Sequence, residues 1–396
     1  MLSQKAKQIS PSPTLSIDAK AKEMKSEGKD VIGFGAGEPD FDTPLHIKEA
    51  AISAINQGFT KYTPASGIPE LKEAVCAKLL KENALEYQPQ QIVVSNGAKH
   101  SLDNVFCALL DPGDEVLIPA PFWVSYPELV KLNDGTPVIL ETLPEDNYKL
   151  RGPQLEKAIT PRTKALILNS PSNPTGHLYL KEELEEIASV AVKHNIFIVS
   201  DEVYEKLLYD DSQHISIAAL GEDIKKLTIV VNGVSKTYAM TGWRIGYTAS
   251  CSEIAKAMAD IQSQNASNPN SIAQKAACAA LSGPQDCVEQ MRRAFEERRN
   301  YMLERIEAMP YLSFIRPQGT FYLFVYIGET FSHRFRGISV ENADRFAQLL
   351  LEHYGVAVVP GRGFGAPEYA RFSYATSLEN IQRGLDRLEA FLRELE

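Results

Sequence analysis

The chain has 396 residues, of which 44% are hydrophobic, 23% charged and 9% aromatic. That balance excludes a disordered, collagen-like or disulfide-scaffold protein and fits two to three domains, or one large domain with an appendage. Asp and Glu number 51 against 41 Lys and Arg, a net charge of −10, which excludes a general binder of nucleic-acid phosphates or anionic lipid and requires any anion site to be built locally from a few aimed donors.

The N-terminus, MLSQKAKQISPSPTL, lacks the continuous apolar run of a signal peptide. No window reaches the roughly 18 apolar residues of a membrane span, so the chain reads as cytoplasmic, without a membrane partner. The first forty-odd residues are polar, with two Ser-Pro steps, a helix near 17–27 and then Val31-Ile32. They do not fit the repeat that follows and are expected to pack with the C-terminal part.

From there, short Val- and Ile-rich runs at 91–95, 115–118, 165–169, 196–200, 228–232 and 245–249 alternate with helical patterns such as 98–110 and 181–194. Runs apolar on both faces are the mark of buried parallel strands, and the alternation predicts an α/β sheet covered on both sides. Ligands of such sheets collect outside the carboxyl ends of the strands. After about residue 284 the pattern changes. A charged amphipathic helix (284–309) leads into strands at 314–316, 321–326, 357–359 and 371–374, with helices at 341–354 and 378–394, which predicts a smaller α+β unit.

Five cysteines, Cys76, Cys107, Cys251, Cys278 and Cys287, form no CxxC pair. Cys76, Cys107 and Cys278 fall in apolar helical patterns, so the thiols read as inert rather than as a metal or redox site. Phosphate-loop, zinc-protease and nucleophile-elbow motifs are absent. Gly33-Phe-Gly-Ala-Gly37 looks faintly like a dinucleotide loop, but Glu38 and Pro39 follow where a helix should start.

Polar exceptions within the apolar runs carry the chemistry. Lys236 is the one charged residue between Lys226 and Arg244. An amine in such surroundings has a lowered pKa suited to a Schiff base, or else it snorkels from a strand end. Asp201 follows the buried run 196–200, as a functional carboxylate or as a cap. Asn173 lies in Ser170-Pro-Ser-Asn-Pro-Thr-Gly176, just past 165–169, in a loop that also reads as a rigid turn. Gly97-Ala98-Lys99 joins a strand to a helix whose N-terminal N–H groups can hold an anion. Arg244 sits between Gly242 and Gly246. An amine, a buried carboxylate, a phosphate cradle and an amide are together what pyridoxal 5′-phosphate requires.

SNPTG with Asn173, SDEVY with Asp201 and Tyr204, and SKTYAMTGWRIGY with Lys236 and Arg244 resemble the class I/II aminotransferases of fold type I. GAGEPDFDTP (35–44), KYTPASGIPELKEA (61–74), PFWVSYPE (121–128) and RFSYATS (371–377) are similar to the prokaryotic-type aspartate aminotransferases, subgroup Ib. The resemblance implies a large domain, 45–283, with a mostly parallel seven-stranded sheet flanked by helices, and a small α+β domain made of 1–44 and 284–396. It implies pyridoxal 5′-phosphate held by Lys236 as a Schiff base, with Asp201 on the ring nitrogen. Asn173 and Tyr204 would meet the ring's phenolic oxygen and Trp123 its face. Ala98, Lys99, Ser235 and Arg244 would hold the phosphate, with Tyr62 reaching it from the other subunit of a homodimer. Arg371 and Gly37 would take the substrate α-carboxylate, with no metal in the site.

The implied reaction passes an amino group between amino acids and 2-oxo acids, here L-aspartate with 2-oxoglutarate. Alternatives are aromatic, branched or prephenate-type substrates, a lyase on the same fold, or a regulatory module that binds the cofactor without turnover. For the distal carboxylate, Lys99 and the segment with Ser12 and Thr14 match the subgroup. Relatives often carry a lysine just ahead of that segment, where this chain has Ser10. Arg334 or Arg336 would supply the missing basic contact, or else they are surface arginines.

Overall fold

Strands that are apolar on both faces must be covered on both faces, and here they form a seven-stranded sheet between helices. The computed structural model describes residues 2–10 and 13–396, apart from the side chains of 4, 13–16 and 18. In spatial order the strands are Ile92–Ser95, Gly246–Ala249, Thr228–Gly233, Phe197–Asp201, Thr163–Asn169, Glu115–Ala120 and Thr136–Glu141. The last five are mutually parallel. Gly246–Ala249 corrects the expectation of a parallel strand, because it runs antiparallel to both of its neighbours. The connection through 234–245 contains no crossover helix, so the chain can only return in the opposite direction beside the strand it left.

Thr136–Glu141 is a strand that the sequence reading did not contain. It forms the sheet edge, mostly half-buried or exposed, and an edge tolerates Pro137 where a central strand would not. At the carboxyl ends of the parallel strands, Asn169 stands in register with Asp201, and Asp201 with Val231. The polar ends of three strands thus meet on one rim.

A second, antiparallel sheet runs Val359–Pro360, Tyr369–Ser373, Tyr322–Tyr326, Ser313–Phe314. Helices Asp286–Glu307, Ala343–Tyr354 and Leu378–Arg393 share its core through Phe295, Phe346 and Leu385. The run expected as one strand at 357–359 divides. Val356–Ala357 pairs in parallel with Ile32–Gly33, whereas Val359–Pro360 joins the second sheet. The N-terminal segment divides its contacts in the same way. Asp30 pairs with Arg383 and Arg387, and Lys20 with Glu352, while Lys5 pairs with Asp134 on the far side.

Arg299, fully buried, forms a bidentate pair with Asp210 at 2.7 and 2.8 Å and donates to the Pro317 carbonyl at 2.9 Å. It fixes the turn whose Gln318 and Gly319 N–H groups both reach the Gly176 carbonyl at 2.9 Å. The loop carrying Asn173 is therefore pinned from the second sheet. All five cysteines are free, and Cys107, expected among apolar packing, faces solvent instead.

Candidate active site

Helix Ala98–Leu109 starts directly after strand Ile92–Ser95, with Gly97 at its N-cap in a positive-φ conformation (85°). A side chain at Gly97 would stand 2.2 Å from the Arg244 guanidinium, and one at Gly246 would stand 2.3 Å from the Ala98 nitrogen. Only glycine permits these approaches. They bring the helix N-terminus, with no acidic residue in its first turn, against Arg244. Arg244 is itself in the left-handed region (φ 58°), and it donates to the Thr241 and Asn96 carbonyls at 2.9 and 3.3 Å. Ser235 follows strand Thr228–Gly233 on the same side. Lys99 lies over the Trp123 ring, 5.0 Å from its centroid.

Asp201 ends its strand 4% exposed. Burial pushes its carboxyl up to about 6, opposed by a 2.7 Å hydrogen bond from the Tyr126 hydroxyl to Oδ2 and one from the Val203 N–H to Oδ1 at 3.3 Å. Lys236 stands in the turn after Gly233, with Nζ donating to the Gly37 carbonyl at 2.5 Å. Burial lowers its pKa to about 8; Glu38 raises it, and Arg371 and Arg244 lower it further. Asn169 donates to the Asp201 carbonyl at 2.9 Å and accepts from the Asn173 N–H at 2.8 Å, so one amide ties the Asn173 loop to the Asp201 strand. Tyr204, whose phenol is held well above its ordinary pKa by burial, has its hydroxyl 3.1 Å from that of Tyr322.

Arg371 comes from strand Tyr369–Ser373 and is 2% exposed. Its guanidinium lies between the rings of Tyr322 (4.1 Å) and Phe364 (5.0 Å). It donates to Asn173 Oδ1 and to the Gly35 carbonyl, each at 3.0 Å, while Nε has no hydrogen-bond partner. A buried guanidinium of this kind, outside every ion pair among the described residues, calls for an anion.

A single pocket of about 270 Å³ contains every residue expected from the sequence to hold the cofactor or the α-carboxylate except Tyr62. Tyr62 is 91% exposed and lies away from it. Arg334 and Arg336 are not among its lining residues; Arg336 pairs with Glu394 at 2.7 Å and Arg334 donates to the Gly337 carbonyl. Ser10 is exposed, its N–H bound to Glu128. Ser12 and the Thr14 side chain lie outside the described residues. The pocket also holds Tyr126, Asn169, Thr241 and Tyr322, which the sequence reading left without a role. Outside its lining, ligand atoms of Glu202, Glu205 and His214 come within 4.8 Å of one another. Glu202 Oε1 accepts from Ser200 and Ser216 and its Oε2 meets His214 Nε2 at 3.1 Å, while Glu205 accepts from Lys78, Asn83 and Asn232.

Four cationic groups, Lys99, Lys236, Arg244 and Arg371, thus face one lining carboxylate, Asp201. The arrangement accepts a phosphate at the helix end, a planar ring beside Trp123, a carbonyl at Lys236 and a carboxylate at Arg371.

Residues 29–388 match the family model described as aminotransferase class I and II. The chain is similar to the aspartate aminotransferase of Bacillus sp. strain YM-2, at 51% identity over 99% of both chains. It is 48% identical to the aspartate/prephenate aminotransferase of Nitrosomonas europaea, again over 99% of both. Among solved structures, the aspartate aminotransferase from Thermus thermophilus with maleate superposes with a TM-score of 0.93 at 45% identity, covering 99% of this chain and 100% of that one. The Rhizobium meliloti aspartate aminotransferase gives 0.97 at 42% identity, with full coverage of both.

Proposed function

The chain belongs to the aminotransferase class I and II family, with the architecture of fold type I, and from that premise we propose that it uses pyridoxal 5′-phosphate to transfer the amino group of L-aspartate to 2-oxoglutarate, giving oxaloacetate and L-glutamate. The observation that carries this reading is the convergence of four cations on a pocket with one lining carboxylate, in a chain whose net charge is −10. A phosphate and a substrate with two carboxylates are the anions that such a pocket balances.

The residues fit the cofactor. The Ala98 and Lys99 N–H groups, Ser235 and Arg244 would hold its phosphate, and the glycines at 97 and 246 keep that cradle open. Trp123 would lie on the ring, Asp201 at its nitrogen, and Asn173 and Tyr204 at its oxygen. When bound, the cofactor supplies an electron sink for the charge that develops as the substrate Cα–H bond breaks. Lys236, with its pKa near 8, has an appreciable neutral fraction near pH 7 to 8. It can therefore take the Cα proton and deliver it back as a general base and then acid. The Gly37 carbonyl orients Nζ for that transfer. Asp201, whose ionised form the Tyr126 hydroxyl supports against the cost of burial, would stabilise positive charge on the ring side of the pocket. Arg371, fixed by Asn173 and Gly35, turns its open edge to the α-carboxylate, joined by the Gly37 backbone.

We take 45–283 as the large domain and 1–44 with 284–396 as the small one. Arg371 and Tyr322 then reach the site from the small domain, which allows closure over substrate. We further take the enzyme as a homodimer in which Tyr62 completes the partner's phosphate site. Its exposure, together with that of Leu45, Ile52 and Ile55 at 66, 56 and 51%, supports this. No helix among the described residues is long and apolar enough to cross a membrane, and five unpaired cysteines suit the reducing cytoplasm.

The test is a single-turnover panel in which amino acids convert the cofactor-loaded protein. Aspartate and glutamate are expected to react fastest, each regenerated by the matching dicarboxylic oxo acid. An aromatic or branched amino acid, or prephenate as acceptor, outrunning the dicarboxylates would contradict the aspartate assignment.

A further inference from the structure

The roles above leave out one fully buried side chain that touches two of the groups they rely on. We propose that Tyr322 is a positioning residue with two separable functions: its ring holds Arg371 in place for the substrate carboxylate, and its hydroxyl strengthens the hydrogen bond that Tyr204 gives to the cofactor's ring oxygen. This rests on the reading of the pocket given above.

The placement follows from strand register. Tyr322 stands opposite Ser373, and Phe324 opposite Arg371, in antiparallel strands. Alternate residues share a face, so Tyr322 and Arg371 are diagonal neighbours on the face toward the pocket. The guanidinium sits 4.1 Å from the Tyr322 ring centroid, closer than to Phe364. Tyr322 is 1% exposed, its ring packed edge-on against Tyr204 at 5.9 Å and its N–H bound to Thr320 Oγ1 at 3.2 Å. A side chain at Gly37 would come within 3.3 Å of the Tyr322 hydroxyl. Both contacts are made from this one buried ring position.

The direction of the hydroxyl contact follows from proton counting. The two hydroxyls are 3.1 Å apart and each carries one proton. For the 3.1 Å contact to remain a hydrogen bond once Tyr204 commits its proton to the cofactor oxygen, Tyr322 must be its donor. A donor upstream polarises the hydroxyl it binds and strengthens the next bond in the chain. A stronger bond to that oxygen favours the less protonated form of the Lys236-linked chromophore and lowers its titration midpoint; losing the bond raises it. The other charged groups that face this centre are Arg371, Lys236, Asp201, Arg244 and Glu38, and Tyr322→Phe, which keeps the ring against Arg371, leaves all of them in place.

The experiment compares Tyr322→Phe and Tyr322→Leu in cofactor-loaded protein, by absorbance titration and by binding of succinate as an unreactive dicarboxylate. Tyr322→Phe keeps the aromatic face and is expected to raise the midpoint by about half a pH unit while leaving succinate affinity within about twofold. Tyr322→Leu loses both and is expected to show at least that rise together with roughly five- to tenfold weaker succinate binding. An unmoved midpoint in Tyr322→Phe overturns the hydroxyl's role whatever the leucine variant does to folding, and equal losses of affinity in the two variants overturn the ring's. A wild-type protein with no titrating chromophore contradicts the cofactor reading itself and removes this role with it, whereas a titrating wild type with silent variants overturns this role alone.

Discussion

Lys236→Ala is expected to lower turnover of aspartate at least about ten-thousandfold, because one substitution removes both the covalent tether and the proton-transferring base. Steady-state assay with added cofactor checks this. Stability should move the other way. The Lys236 pKa is about 8 in the fold against an ordinary 10.5. Well below pH 8 the amine is protonated in both states and the folded protein carries the full penalty of holding a charge in that turn; the penalty fades as pH rises through 8 toward 10.5. The cofactor-free alanine variant should thus melt above the wild type at pH 7, by a margin that narrows with rising pH. A variant that keeps more than a hundredth of the activity would contradict the role assigned to this lysine.

Asp201→Asn should reduce turnover by roughly 10²- to 10³-fold, the range for loss of one preorganised electrostatic group. The packing survives, because the Asn oxygen can still accept from the Val203 N–H while its NH2 donates to the Tyr126 hydroxyl, which accepts as readily as it donates. Here too activity and stability part. The Asp201 carboxyl titrates near 6 in the fold against 3.8 ordinarily. The fold therefore favours its protonated form, and holding it ionised destabilises the cofactor-free protein as pH rises from about 4 through 6 and above. The asparagine variant is expected to be the more stable apoprotein at pH 7 and the far poorer catalyst. Such opposition is the ordinary mark of a site kept for function. Melting curves with and without cofactor, beside kcat, give both readings. Equal loss of stability and activity would make Asp201 a structural residue.

The groups legible in the sequence were those that break a local pattern. Lys236 stands alone as a charge in an apolar stretch, and Asp201, Asn173 and the Gly97 turn each follow a strand-like run, so local rules placed them at strand ends. Tyr126, Asn169 and Tyr322 were not legible, because a buried tyrosine or asparagine within an apolar segment looks like core. Their significance lies in partners far along the chain: Tyr126 meets Asp201 across 75 residues, and Tyr322 meets Tyr204 across 118. Direction was likewise hidden for Gly246–Ala249, since an apolar run carries no sign of its neighbours' sense. Thr136–Glu141 escaped because an edge strand need be neither wholly apolar nor free of proline. The arginines at 334 and 336 could be placed only once their hairpin was seen to face Glu394 rather than the pocket.

The central claim is that one amine, Lys236, carries the cofactor. Reduction of the loaded protein with borohydride, followed by digestion and mass mapping, tests it most directly. The account predicts a single pyridoxyl adduct, on the peptide containing Ser235, Lys236 and Thr237. A stable adduct on another lysine, or none at all, would contradict it.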